Sequence, residues 1–330
     1  MFISRRLFLM RLFVLAMGFM TPLGVRAQER IVAGYDGHAG FQGPIWAAKD
    51  LGLFEKYGLN ADLVLIPGSA RAMAALISDS TQFVQGSATA PIPVRLRGGD
   101  IVMVAAALNK FAFSFVAQKE IRKPSDLMGK KIGILNFGGS NDLAVILALK
   151  EWSIPRQAVT ILASGGAADR LVALSTRAID ATVLSPPETV AATRLGMSFL
   201  ANLSDLSASF PMTVITVRRS FLEKNRESVK RFLRAYSEAI YRFKSDKETS
   251  MAVYAKRLRQ QDQRIIGETY DYYAPKFSFP PRIERHGVRN ALELVSQRNP
   301  EARGEIDVEQ FIDESVIGEL EREGFFKKLR

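Results

Sequence analysis

The chain has 330 residues, of which 47% are hydrophobic, and a formal net charge of +11 at neutral pH. This length and composition are typical of a globular protein with one large or two medium domains. The chain has no cysteine and two histidines, which excludes a disulfide framework, zinc–thiolate sites and thiol catalysis.

Residues 1–27 have the pattern of an export signal, which is removed after translocation. Arg5, Arg6 and Arg11 form a basic start, an apolar run covers 12–20, and Ala27 is a small residue before a cleavage point. The apolar run is too short for a membrane-spanning helix. The arginine pair also resembles a twin-arginine motif, so twin-arginine and Sec export both stay open. Either route predicts a periplasmic protein, and without cysteine it has no cysteine-linked lipid anchor.

From residue 30 to residue 106 the pattern alternates between strand and helix. Strands are predicted at 31–33, 61–66, 83–84 and 101–107. Helices follow Gly43 and Gly68, and in the second of these Met73, Leu76 and Ile77 share one face. The last strand is almost uniformly apolar, as expected of a parallel strand buried on both faces. The alternation predicts a doubly wound α/β sheet.

A second unit with the same alternation begins near Phe111. Its strands are predicted at 131–135, 159–162 and 181–184. After Pro211 one strand, 213–217, precedes helices at 220–244, 247–258, 262–273 and about 282–297. We therefore divide the mature chain into two lobes. Lobe one comprises 28–110 and 210–330, and lobe two comprises 111–209.

The C-terminal helices carry much of the positive charge. We interpret these residues as a solvated basic face; the alternative is docking to an acidic or membrane-adjacent partner. The sequence has no groove-reading motif, so we expect no nucleic-acid partner.

Most of the predicted strands end in turns of small residues that lead directly into a helix. Such turns expose backbone N–H groups at the positive end of a helix dipole. In open α/β sheets, ligands bind beyond the carboxyl ends of the strands. The turns lie at Gly43-Pro44, Gly68-Ser69, Gly86-Ser87, Gly138-Gly139-Ser140, Gly165-Gly166 and Ser185-Pro186-Pro187. They predict a site that holds a small molecule.

Four segments, in order and spacing, resemble a known family. They are Pro44–Phe54 with Tyr57-Gly58-Leu59, Lys123–Gly133, Asp169–Leu174 and Ile179–Pro187. The chain resembles, over about residues 30–245, the substrate-binding proteins of ABC importers for nitrate, sulfonates, taurine and thiamin precursors. The resemblance implies a type II periplasmic-binding-protein fold, in which each lobe is a doubly wound, mostly parallel sheet flanked by helices. It also implies chain crossings near 109–113 and 207–212.

The same resemblance implies a ligand held between the lobes and closure of the lobes around it. The partners it implies are a small organic solute, an ABC permease and an ATPase. We expect a monomer with neither cofactor nor metal and no catalytic residues.

The predicted ligand-binding residues come from the turns of both lobes and from the crossings. They are His38, Phe41, Gly43, Gly68, Ser69, Ser87, Ala88, Asn109, Gly138, Gly139, Ser140, Asn141, Gly165, Ser185, Glu188 and Met212. The turn at 138–141 leads this set, because its N–H groups and hydroxyl can hold a carboxylate, sulfonate or amide oxygen. A plain capped helix start is the alternative for this turn.

Several side chains have two interpretations at this point. Arg71 and Arg170 are both candidates to bind an anion. The alternative for Arg71 is a side chain that points outward to solvent. The alternative for Arg170 is an ion pair within its lobe, with Asp180 as one candidate partner. Glu188 is a partner for a cationic ligand or an acid favoured by its helix start. Trp46 is a core residue or a stacking surface.

The main functional prediction is a periplasmic receptor for a small, mostly uncharged or anionic organic molecule that is held by backbone amides. A periplasmic sensor that signals to a membrane receptor is an alternative. A second alternative, an enzyme like the thiamin-pyrimidine synthases, would need a pyridoxal-binding lysine, an active-site histidine and a cysteine-rich iron site. The chain has no cysteine and no lysine between 68 and 76, which argues against the enzyme.

Overall fold

A computed structural model describes residues 28–296 and 306–330 of the chain. The predicted export signal, 1–27, lies outside the described residues. In the described part, no helix combines the length and apolar character that crossing a bilayer requires.

The structure contains ten strands and fourteen α-helices in the described residues. The strands are β1 (Glu29–Tyr35), β2 (Leu59–Leu65), β3 (Phe83–Gly86), β4 (Val102–Leu108), β5 (Ser114–Ala117), β6 (Lys131–Ile134), β7 (Thr160–Ala163), β8 (Ala181–Leu184), β9 (Ser198–Asn202) and β10 (Thr213–Val217). The helices are α1 (Gly43–Asp50), α2 (Leu53–Lys56), α3 (Ser69–Ile77), α4 (Pro91–Leu96), α5 (Ser140–Glu151), α6 (Ala167–Ser175), α7 (Glu188–Arg194), α8 (Arg219–Lys224), α9 (Arg226–Ser245), α10 (Lys247–Leu258), α11 (Gln263–Tyr273), α12 (Arg285–Ser296), α13 (Ser315–Arg322) and α14 (Phe325–Leu329).

The strands form two five-stranded sheets, with strand orders β2-β1-β3-β10-β4 and β7-β6-β8-β5-β9. In the first sheet β10 is antiparallel to both of its neighbours, and in the second β5 is. The other ladders are parallel. The predicted α/β class with mostly parallel sheets is therefore confirmed. Here lobe one means the first sheet with the helices packed on it, and lobe two means the second sheet with its helices.

The core of lobe one lies where β4, β3 and the long helix α9 meet. All seven residues of β4 are buried, as the uniformly apolar sequence predicts, but its ladder, with β10, is antiparallel and not parallel as predicted. Phe83 of β3 stacks on Phe232 of α9 with ring centroids 3.9 Å apart. Helix α1 packs against α9, and its Trp46 is fully buried, which supports the core interpretation of that side chain.

The chain passes between the lobes through two connections that run side by side. The first connects β4 to β5 and the second connects β9 to β10. The N–H of Phe210 donates to the Asn109 carbonyl at 2.8 Å, and the N–H of Met212 donates to the Leu108 carbonyl at 2.9 Å. The rings of Phe111 and Phe210 stack 4.1 Å apart. The strands of each sheet come from the sequence ranges assigned to that lobe, although the exact domain limits stay a prediction.

Three local predictions differ from the structure. Strands β5 and β9 were not expected from the sequence. The helix predicted at 220–244 is two helices, because Asn225 leaves the helical conformation and its side-chain amide donates to the Phe221 carbonyl at 3.3 Å. Ile77, predicted on the core face of its helix with Met73 and Leu76, is 52% exposed.

Candidate functional site

A cavity of about 370 Å³ lies between the two lobes. Its walls are the segments that follow β1, β2, β6, β7 and β8, so it lies at the carboxyl ends of parallel strands from both sheets. The predicted residues that line it are His38, Phe41, Gly68, Ser69, Gly139, Ser140, Asn141, Ser185 and Glu188. Turns that are far apart in sequence therefore meet around one space.

Asp36, immediately after β1, organises the lobe-one wall. Its carboxylate accepts hydrogen bonds from the Ser69 hydroxyl at 2.5 Å, the Ser87 N–H at 3.2 Å and the Gln42 amide at 3.1 Å. Its carbonyl also accepts from the N–H of Gly68 at 2.9 Å. Burial raises the pKa of Asp36 above its ordinary value, although these hydrogen bonds act in the opposite direction.

Sequence reasoning missed Asp36. Its position directly after an apolar strand indicates a residue at the carboxyl end of the sheet, but only the neighbouring His38 was predicted as a site residue. Gly68 has φ +93°, a backbone conformation that favours glycine, and this allows the turn to bring Ser69 to Asp36.

His38 and Phe41 form the aromatic part of the lobe-one wall. The Nε2 atom of His38 lies 2.7 Å from the Arg257 carbonyl. A carbonyl can only accept, so Nε2 carries a proton and donates it. Phe41 and Phe113, the second from the connection between β4 and β5, both line the cavity, so its wall contains two phenyl rings.

The lobe-two wall consists of the starts of α5, α6 and α7. Each start carries an acidic side chain in its first turn. Asp142 of α5 accepts from the N–H of Gly138 at 2.6 Å, and Asp169 of α6 accepts from the N–H of Gly166 at 2.8 Å. The third acid, Glu188 of α7, lines the cavity itself.

Arg170 of α6 lies on the cavity wall but is only 3% exposed. Its guanidinium donates to the Thr182 hydroxyl at 3.0 Å and to the carbonyls of Gly165 and Val183 at 2.7 and 3.2 Å. Burial lowers the pKa of Arg170 to about 10. Asp180 instead accepts from the N–H of Lys131, so the predicted Arg170–Asp180 pairing is not among the contacts of this arginine.

Glu188 has the opposite character. One of its carboxylate oxygens is buried and has no hydrogen-bond partner within the described structure. Burial raises the pKa of Glu188, while a hydrogen bond from its own backbone and the nearby charge of Arg170 act in the opposite direction. A buried oxygen without a donor is unfavourable, so a ligand group that donates to it would be stabilised.

Three of the predicted residues of lobe one lie behind the wall rather than on it. Gly43 is buried at the start of α1, where a Cβ would lie 2.9 Å from the ring of Phe243. Ser87 is buried and holds Asp36 through its N–H. Ala88 is buried, and its N–H donates to the Pro211 carbonyl at 3.1 Å.

Asn109 and Met212 lie in the connections between the lobes and do not line the cavity. The Asn109 amide donates to Ser278 and to the Arg282 carbonyl at 3.1 and 2.9 Å, and its oxygen accepts from the N–H of Glu284 at 3.1 Å. The sulfur of Met212 accepts from the N–H of Ala112 at 3.0 Å. Their polar atoms fasten the connections.

Gly138 and Gly165 precede helix starts but also lie off the cavity. Gly165 is next to Gly166, which does line it, and Gly138 lines a neighbouring apolar groove. That groove contains exposed Ile77 and Phe137, one from each lobe.

A second neighbouring groove, next to His38, is basic and contains Lys256, Arg257 and Arg259. The first two of these cations each pair with Asp50 at 2.7 Å. Arg71, the other anion-binding candidate, is exposed and lines none of these three spaces. Within residues 28–296 and 306–330, no His, Asp or Glu cluster is suited to hold a metal ion.

Two α/β lobes are joined by two side-by-side connections, and a cavity lies between them at the facing strand ends. A family model described as NMT1/THI5 like matches residues 42–248, well over half of the chain. The chain belongs to the NMT1/THI5-like family, and the resemblance seen in the sequence is confirmed.

Relatives with related sequences come from Brucella species. A protein of Brucella abortus (strain 2308), named as a candidate binding protein, is 29% identical over 217 residues. The match covers 64% of this chain and 66% of that protein, just under two thirds of its length. A protein of Brucella melitensis biotype 1 with the same kind of name matches equally well.

Solved structures share the fold at low sequence identity. The periplasmic aliphatic sulphonate-binding protein SsuA of Escherichia coli has a TM-score of 0.73 and 21% identity, over 86% of this chain and 92% of that one. The periplasmic nitrate-binding protein NrtA of Synechocystis PCC 6803 has a TM-score of 0.70 and 14% identity, over 89% and 88%. The ligand-binding component of an ABC-type import system from Staphylococcus aureus, with zinc bound, has a TM-score of 0.74 and 17% identity, over 88% and 99%.

Proposed function

We propose that this protein is a periplasmic receptor that captures a small organic molecule between its lobes and delivers it to an ABC importer. The observation that carries the proposal is the cavity, whose lining comes from both lobes at the carboxyl ends of their strands. A molecule there touches Ser69 of lobe one and Ser140 of lobe two at once. A ligand that contacts both lobes favours the closed arrangement over the open one.

The neighbours support the second half of the proposal. SsuA and NrtA are described as periplasmic binding proteins, and the Staphylococcus aureus protein is described as part of an ABC-type import system. A closed receptor that docks to a permease and its ATPase is the role consistent with them. Binding proteins among the neighbours also support capture rather than catalysis.

Export to the periplasm rests on the leader pattern at 1–27. The pattern fits the neighbours that are described as periplasmic. Secretion of the full chain, tested by fractionation of cells that express it, checks this part of the proposal.

A thermal-shift screen of small solutes tests capture, because a ligand that binds only the native state raises its stability. We expect at least one solute class to raise the melting temperature. Ser140→Trp should remove that rise, because the indole fills part of the cavity. Ser175→Trp, at the exposed end of α6 away from the cavity, is the matched control and should keep the rise. If no solute shifts the wild-type melting curve, the receptor function is wrong.

A further inference from the structure

We propose that the cavity selects a ligand with a cationic nitrogen group, such as an amine or amidine, and places that group against Glu188. This inference rests on the receptor function proposed above and names the ligand class of the same cavity. It replaces the expectation of a mostly uncharged or anionic ligand, and it separates this chain from neighbours described as sulphonate- or nitrate-binding.

The helix starts that surround the cavity are already supplied with negative charge. Asp142 and Asp169 accept the N–H groups of Gly138 and Gly166. Glu188 occupies the first turn of the third helix. An acidic side chain at a helix start offsets the positive end of the dipole. The three acids therefore reduce the attraction of these helix starts for an external anion.

Lobe one repeats this arrangement. The Asp36 carboxylate accepts hydrogen bonds from the hydroxyl of Ser69, the first residue of α3, and from the N–H of Ser87. Two of the donors that the sequence offered in this lobe are therefore engaged by a carboxylate of the protein itself.

The cationic side chains that an anionic ligand would need are either hydrogen-bonded within the protein or located outside the cavity. Arg170 is the one Arg or Lys among the described residues that line the cavity, and all three of its guanidinium nitrogens donate to lobe-two oxygens. Lys256 and Arg259 lie in the separate basic groove. With Asp36 and Glu188 ionised, the cavity wall has one more negative than positive formal charge when His38 is neutral.

Glu188 is the cavity-lining carboxylate whose hydrogen bonding the protein leaves incomplete. It lines the cavity, and one of its oxygens has no donor among the described residues. A cationic N–H group donates a charge-assisted hydrogen bond to a carboxylate, which is about twice as strong as a neutral one. The rings of Phe41 and Phe113, which also line the cavity, suit a cation because their faces attract positive charge.

Matched probes separate the ligand classes. Benzamidine, benzamide, benzoate and benzenesulfonate have one ring each and carry a cationic, neutral or anionic head. The purified protein is screened against these four probes and a library of small amines, amidines, carboxylates and sulfonates by thermal shift, and the hits are measured by calorimetry. We expect the cationic class to bind most tightly, and its neutral counterparts to bind at least about tenfold more weakly, as loss of a charge-assisted hydrogen bond predicts.

Two variants assign the effect to Glu188. Glu188→Gln should weaken the best cationic ligand at least about tenfold and change neutral ligands little, since the amide keeps the shape and removes the charge. Glu223→Gln removes the same charge from an exposed position away from the cavity and should change neither. Melting curves without ligand show whether both variants are folded.

The outcomes separate the two proposals. Tightest binding by carboxylates or sulfonates, or unchanged cation affinity in a folded Glu188→Gln protein, overturns the cationic class and leaves the receptor function standing. If no member of any class binds, the receptor function itself is wrong, and the ligand class fails with it.

Discussion

The two lobes each bring one carboxylate to the cavity, but the two acids are in opposite situations. Asp36 of lobe one has three hydrogen-bond donors from the protein. Glu188 of lobe two has a buried oxygen with none in the described structure. The carboxylate of lobe one is therefore fully hydrogen-bonded by the protein, whereas that of lobe two has an oxygen that the proposed ligand would satisfy. The difference predicts that Asp36 acts mainly on stability and Glu188 mainly on affinity.

The largest effect is expected from the arginine that supports the lobe-two wall. Arg170→Ala removes three hydrogen bonds and leaves the Gly165 and Val183 carbonyls without this donor. Since each buried group left unsatisfied costs about 1–3 kcal/mol, we expect a loss of about 3 kcal/mol in the free energy of unfolding. Urea denaturation followed by tryptophan fluorescence measures it.

Arg71→Ala is the matched control in lobe one. Arg71 also lies in the helix that follows a cavity turn, but it is exposed and lines no described space. Its removal should change the free energy of unfolding by less than about 0.5 kcal/mol. Equal losses in the two variants would contradict the contrast between the lobes.

The second effect concerns Asp36. Asp36→Asn keeps the size of the side chain but replaces one of its two acceptor oxygens with an NH2 group. In the wild type both oxygens accept: one from Gln42, the other from Ser69 and Ser87. We expect a loss of about 2 kcal/mol in the free energy of unfolding, because one buried donor is then left without an acceptor. Urea denaturation of this variant beside Glu188→Gln tests the comparison directly, and an equal loss in both variants would remove it.

The third effect is the pH dependence that Glu188 causes. Its folded-state pKa lies above the ordinary value of 4.5, so the folded protein binds this proton more tightly than the unfolded chain does. Wild-type stability should therefore fall as pH rises from about 4.5 through the raised folded-state pKa. Glu188→Gln lacks this loss and should become the more stable protein above that range, with little difference below pH ~4.

Urea midpoints measured from pH 4 to pH 8 on both proteins give the difference curve. Other titrating groups are common to the two proteins and cancel in it. A difference that does not vary with pH would show that the Glu188 carboxyl is not perturbed by its burial.

Much of the fold was predictable because strands buried on both faces are uniformly apolar, as β4 is, although β4 lies at the sheet edge and its ladder with β10 is antiparallel. Strands β5 and β9 were not, because their pairing joins segments far apart in sequence: Phe115 pairs with Val183 on one side and Ala201 on the other. Strand β9 is only partly buried, so its sequence lacks the continuous apolar run of a fully buried strand.

For the site, sequence locates the turns but not the direction in which each one faces. Gly43 begins one helix and Gly68 precedes another, yet the first packs on Phe243 and the second lines the cavity. The role of Asp36 depends on donors 33 and 51 positions away, which only tertiary structure brings together. Local sequence patterns do not predict such long-range contacts.

The smallest effect concerns an ion pair that joins the lobes. Arg194 of lobe two lies 3.1 Å from Asp262, which precedes α11, a helix packed on the Gly40–Gln42 turn of lobe one. Asp262 also caps α11 by accepting the N–H groups of Arg264 and Ile265. Changing the arginine therefore isolates the ion pair, whereas changing Asp262 would also destabilise the helix.

Arg194→Gln should weaken ligand binding by less than about fivefold at low salt, since exposed ion pairs contribute little. The difference should vanish at about 1 M salt, where screening acts within about 3 Å. Arg177→Gln is the control, because Arg177 pairs with Glu120 inside lobe two and does not join the lobes. If the ion pair helps to hold the lobes together, calorimetry should show a salt-dependent change in ligand affinity for the Arg194 variant alone. The same change in the Arg177 variant would assign the effect to net charge. The lobes would then be held together by the connections and the ligand.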